Sequence, residues 1–168
     1  QRISQVVGPA RATAVACPLR KPGHLGVTPM QTADLERTLT ELDHARLTGL
    51  LARMSADGLP PGVEDTAQEL LDSVVTVPAQ EIDANVVTMR TRVRLVTADG
   101  QDMAVVLSYP SESNAAAGQI SVMSPLGLSL LGQRTGQSVQ WQGPDRIRHE
   151  AILAGIDYQP EAAGDYGT

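Results

Sequence analysis

Apolar positions along the chain change period twice. Behind Thr40 they recur at helical spacing, with Leu47, Leu50, Leu51 and Met54 on one stripe. Thr40-Glu41-Leu42-Asp43 opens this stretch as a capping box: a hydroxyl placed for an orphan amide, with a carboxylate three residues on. Asp57-Gly58 and Pro60-Pro61-Gly62 end it. A second stripe follows at Val63, Ala67, Leu70, Leu71 and Val74. Two helices joined by a Gly/Pro loop predict a short projecting hairpin, with arms of ~24 Å and ~18 Å at 1.5 Å per residue.

From Val86 the period falls to two. Val87, Met89, Thr91, Val93 and Leu95 alternate with Thr88, Arg90, Arg92 and Arg94, which predicts one half-buried strand. Ala98 to Gln101 is a hairpin turn, Met103 to Tyr109 the returning strand, and Gln119 to Met123 a third. Pro125 opens a short helix through Leu131 that Gly132 closes. Ser138 to Trp141 and Ile147 to Tyr158, separated by Gly143-Pro144-Asp145, complete the sheet. The predicted class is α+β: a helical hairpin, then an antiparallel sheet of about five strands with one helix across it.

Residues 1–29 follow neither period. They hold four prolines, and Arg2, Arg11, Arg20 and Lys21 stand there without an acid. The other nine basic residues face all nineteen acids, a net of −10 over residues 30–168. The expectation is a disordered or non-native extension over 1–29 ahead of a start at Met30, a hairpin over 30–77 and a sheet domain over 78–168. A body of that charge is repelled by phosphates, so DNA is met only through a partner. No Phe, one Trp and three Tyr exclude a base-stacking platform and an aromatic-walled pocket. Cys17 stands alone, which excludes an internal disulfide and a multi-cysteine zinc site. The longest uncharged run, Ser113 to Gln133, contains Asn114, Gln119 and Pro125 and cannot span a bilayer. A cytoplasmic protein with no membrane partner is expected.

Catalytic chemistry finds no motif: no Gly-rich phosphate loop with a lysine, no paired histidines, no nucleophile elbow. His24, His44 and His149 fall in three separate segments and read as solvated or packed. No enzyme activity, cofactor or bound metal is expected. Two charge features remain. Between Met54 and Met89 lie seven acids and no base, with Asp57, Glu64 and Asp65 at the predicted hairpin tip. They are either solvated helix ends favoured by the helix dipole or groups that reach a metal or a basic channel in a partner. Arg90, Arg92 and Arg94 share one face of the predicted strand. They are either balanced by cross-strand acids such as Asp102 or form a contact stripe for an acidic protein surface.

Several runs resemble a known family: Asn85-Val86-Val87-Thr88-Met89, Leu107-Ser108-Tyr109-Pro110, Ile120-Ser121-Val122-Met123-Ser124-Pro125-Leu126-Gly127, Leu130-Leu131-Gly132, and the closing Tyr158-Gln159-Pro160-Glu161-Ala162-Ala163-Gly164-Asp165-Tyr166. In this order and spacing they are similar to the Rnk regulators of nucleoside diphosphate kinase, relatives of the GreA/GreB transcript-cleavage factors. The resemblance runs from about Leu39 to the C-terminus.

It implies a coiled-coil hairpin followed by a domain of FKBP-like topology that docks at the rim of the RNA polymerase secondary channel. In the cleavage factors, acids at the hairpin tip help hold a catalytic magnesium ion. Their Gly-Asp-Leu-x-Glu-Asn tip is replaced here by Asp57-Gly58-Leu59-Pro60-Pro61-Gly62-Val63-Glu64-Asp65, so binding without cleavage is implied. Arg90, Arg92 and Arg94, with the region opening at Ser124, Pro125 and Leu126, are the docking candidates. The alternatives are a regulator that acts on nucleoside diphosphate kinase without touching polymerase, and a weak prolyl isomerase.

Overall fold

The computed structural model describes residues 36–60 and 62–167; the predicted extension over 1–29, the start at Met30 and Pro61 lie outside them. Helix α1 spans Glu41–Asp57, and Thr40 caps it, its Oγ1 accepting from the Asp43 amide at 3.0 Å. Helix α2 spans Val63–Ser73 behind Gly62, whose left-handed backbone turns the chain without a side-chain cap. Both helices therefore follow the predicted stripes. At their root, β1 (Thr38–Thr40) and β2 (Val75–Val77) pair in parallel, two three-residue strands too short for any sequence period.

The hairpin does not stand clear of the sheet domain. Leu47 of α1 and Ala67, Leu70 and Leu71 of α2 pack onto Met123, Leu128 and Leu131. Fully burying one such leucine contributes about 1.5–3 kcal/mol, so these contacts hold the two helices down. The root is also stitched by hydrogen bonds. The Thr38 amide donates to the Gly132 carbonyl, and the half-buried Arg37 guanidinium donates to the Leu128 carbonyl at 2.8 Å.

The main sheet has five strands in the order β5-β4-β3-β7-β6: β3 (Arg92–Thr97), β4 (Asp102–Ser108), β5 (Gln119–Ser121), β6 (Ser138–Gln142) and β7 (Arg148–Tyr158). Its pairs are antiparallel except β4–β5, which is parallel and corrects the all-antiparallel expectation. The cause is the excursion over residues 109–118. Two 3-10 turns within it bring the chain back beside the last three residues of β4, running in the same direction. Val93, Leu95, Val105, Leu107, Val139, Ala151 and Leu153 form the buried face of the sheet. The short helix α3 (Pro125–Leu130) lies across it, with Leu128 and Leu130 buried in the same cluster.

The predicted strand over residues 86–95 begins only at Arg92. Residues 88–91 form a turn in which the Thr91 hydroxyl accepts from the Thr88 amide, and Arg90 adopts a left-handed φ of 60°. Val86, Val87, Thr88, Met89 and Thr91 are all buried, so burial here does not alternate as a half-buried strand requires.

Candidate functional site

Asp57 ends α1, and Glu64 and Asp65 open α2, all three exposed. The acids of α2's first turn lie where the helix dipole favours negative charge. Among the described residues no three His, Cys, Asp or Glu side chains converge as a metal site, so the tip acids do not themselves form one.

The three arginines do not form one stripe. Arg92 and Arg94 project from β3 on the side away from α3, because Val93 and Leu95 between them face the core. Arg90 precedes the strand on the 88–91 turn, where its guanidinium meets Glu112 at 2.8 Å. Arg94 meets Asp157 at 3.1 Å. Asp102, expected to balance them, lies opposite Val96 instead. Both ion pairs are well exposed and contribute at most about 1 kcal/mol each.

Ser124, Pro125 and Leu126 lie on the other side of the sheet. Ser124 caps α3, its Oγ accepting from the Gly127 amide at 3.1 Å, and Pro125 takes the first helical position, where its missing N–H is no loss. These residues line an open groove of about 1330 Å³ whose opposite wall is α2, through Val63, Thr66 and Leu70. Ile120 and Trp141 add half-buried apolar surface to it, and Trp141 is stacked on His149 with ring centroids 5.4 Å apart. The structure thus brings the 124–126 candidates together with the hairpin and separates both from Arg92 and Arg94.

Sequence reasoning missed one polar centre. Asp43, taken only for a cap residue, is buried, and its Oδ2 accepts from the Met89 amide at 3.2 Å, joining α1 to the 88–91 turn. Burial pushes its carboxyl up to about 6 against the opposing effect of the Met89 bond, with the Glu161 charge raising it further and Arg46 lowering it. Glu161 is fixed by the Thr88 hydroxyl at 2.7 Å, and Arg46 donates to the Gly167 carbonyl at 2.9 Å. Gln159 donates to the carbonyls of Asp83 and Val86. The closing tract therefore meets α1 and the 83–91 segment at one junction. A signal for Asp43 was present: it stands four and eight residues ahead of Leu47 and Leu51, on the buried stripe of α1.

Residues 82–155 match the family described as "Transcription elongation factor, GreA/GreB, C-term". A regulator of nucleoside diphosphate kinase from Escherichia coli strain K12 is 36% identical over 129 residues, covering 76% of this chain and 93% of the relative. The transcription elongation factor GreA of Syntrophobacter fumaroxidans is 28% identical over 91 residues, 54% of this chain and 58% of that protein. Among solved structures, a GreA/GreB elongation factor from Nitrosomonas europaea superposes with a TM-score of 0.63 at 27% identity, covering 73% of this chain and 100% of the other. The 36% identity over nearly the whole of the Escherichia coli relative, with the GreA/GreB C-terminal match and fold, places this chain in the family of regulators of nucleoside diphosphate kinase, within the wider GreA/GreB group.

Proposed function

We propose that this chain is a non-cleaving regulator that binds bacterial RNA polymerase near its secondary channel. The observation that carries the proposal is the groove shared by α2 and residues 124–126. A partner seated at the start of α3 also meets the hairpin, which is the arrangement needed if the sheet domain docks while the helices approach a channel. The elongation-factor names of its GreA relatives support polymerase as that partner. Absence of cleavage is supported by the altered tip loop. An FKBP-like topology for the sheet domain belongs to the same proposal.

The test is saturable binding of the full chain to core RNA polymerase, with GreA as competitor, followed by a cleavage assay on a backtracked complex. Binding that GreA displaces, without stimulated cleavage, is the expected result. Undetectable binding at micromolar protein and moderate salt overturns it. The name of the Escherichia coli relative favours a second reading, direct contact with nucleoside diphosphate kinase. Pull-down and activity assays with purified kinase distinguish that route from transcriptional control.

A further inference from the structure

The main sheet has two edges, and they differ in a way that does not depend on polymerase docking. At β5 the edge is covered: the Asn114 amide donates to the Gln119 carbonyl, and the Gln119 amide donates back. At β6 it is open. The Gly143 amide donates to the Ile147 carbonyl and the Leu153 amide to the Gln137 carbonyl. Val139 and Trp141, at the alternate positions between, therefore turn their backbone groups toward β7. Ser138, Gln140 and Gln142 each aim an amide and a carbonyl away from the sheet, and no described residue bonds to these groups. The usual defences of an exposed edge are missing. Ser-Val-Gln-Trp-Gln has no proline and no charge, and its register with β7 runs without a bulge. The groove bordered by Gln140, Trp141 and Gln142 gives an extended segment room to approach.

We propose that β6 pairs antiparallel with β6 of a second copy of this chain, joining the two sheets across a twofold axis at Gln140. The strand is complementary to itself. With the axis there, Ser138 lies opposite Gln142 of the second copy, and Gln140 opposite its own counterpart. Three amides from each copy then meet three carbonyls of the other, which satisfies every open group of the edge. On the inner face Trp141, half-buried and stacked on His149, comes opposite Val139 of the second copy, an aromatic against a β-branched side chain. Charge points to the same occupant. Residues 30–168 carry a net of −10, so two copies meet with least repulsion along an uncharged strand. Glu150, opposite Gln140 on β7, lies three strand spacings from its counterpart, about 14 Å and beyond a Debye length at physiological salt. The pairing takes the β6 wall of the groove away from any other partner.

Sedimentation velocity on the full chain alone tests this, with no polymerase present. Two five-residue strands make less than a standard interface, so the association belongs to the weak class. Expected is a passage from monomer to dimer over about 1–500 µM. The emission of Trp141, the chain's single tryptophan, moves to the blue over the same range. Gln140→Pro removes the central outward amide and no bond to β7, so it keeps the fold and weakens association at least about tenfold. Gln140→Glu and Gln140→Lys each set like charges against each other across the axis and stay monomeric alone; mixed, they associate again. A chain that is monomeric throughout the range overturns the proposal and leaves the open edge to a strand of another protein. Association that Gln140→Pro leaves unchanged also overturns it, and so does a mixture of the two charged variants that stays monomeric.

Discussion

Gly127 passes so close to Ser121 that a methyl group on its Cα would collide with the Ser121 carbonyl oxygen and press on the Val122 backbone. Gly127 sits in α3, and Ser121 ends β5, so this contact fixes how the short helix lies against the sheet edge. Neither obstacle is a flexible side chain, so relief requires the helix to move. Gly127→Ala is expected to destabilise the chain by about 1–3 kcal/mol in urea unfolding, the usual cost of overpacking. Gly49 is the control. It is exposed in α1 with nothing near its Cα, and Gly49→Ala is expected to stabilise by about 0.5–1 kcal/mol through helix propensity alone. Equal effects of the two substitutions would contradict the packing argument.

The buried Asp43 carboxyl makes global stability depend on pH in an unusual direction for an acid. Its folded value of about 6 lies above its ordinary 3.8, so the folded chain holds this proton more tightly than the unfolded chain. Its contribution is full below about pH 4 and is lost as pH rises through about 6, a span of about 3 kcal/mol. Asp43→Asn keeps an oxygen for the Met89 amide and removes the charge. The variant is expected to match the unaltered chain near pH 4 and to exceed it by about 2–3 kcal/mol at pH 7. A stability difference that does not vary with pH would show that Asp43 is not the group responsible.

Gln159 holds the closing tract through one amide nitrogen, which donates to the Val86 carbonyl at 2.8 Å and the Asp83 carbonyl at 3.0 Å. Val86 is fully buried, so its carbonyl has no access to water once the donor is gone. Gln159→Leu is expected to cost about 1–3 kcal/mol, the penalty of a stranded buried acceptor, rather than to gain from added apolar surface. Thermal unfolding reads the change, and a raised melting temperature would contradict it.

How much of this was legible depended on whether the signal was local. The Thr40 cap was, because a hydroxyl and the amide three residues on belong to one turn. So were both helical stripes and the start of α3 at Pro125. The strand expected from Val86 failed because alternation of residue types continued through a turn that the Thr88 and Thr91 hydroxyls stabilise, where both kinds of position are buried. The parallel β1–β2 pair joins residues 38–40 to 75–77, with no period to announce it. The arginine stripe failed for the same reason as the strand. Once Arg90 leaves the ladder, its partner is Glu112, an acid from a different loop.

The opposite placement of the two docking candidates makes polymerase binding a directional test. Leu126 lies in the groove with α2, whereas Arg92 projects from the far side of the sheet with its guanidinium exposed. One flat partner surface cannot cover both. If the groove side docks, Leu126→Glu places a charge in apolar surface at the centre of the contact and is expected to weaken binding at least tenfold, whereas Arg92→Glu changes it less than threefold. Neither substitution is expected to alter the melting temperature much, since Arg92 makes no buried contact and Leu126 is only half-buried. The reverse ranking, with Arg92→Glu abolishing binding and Leu126→Glu tolerated, would put the partner on the outer face of β3 and leave the hairpin turned away from it.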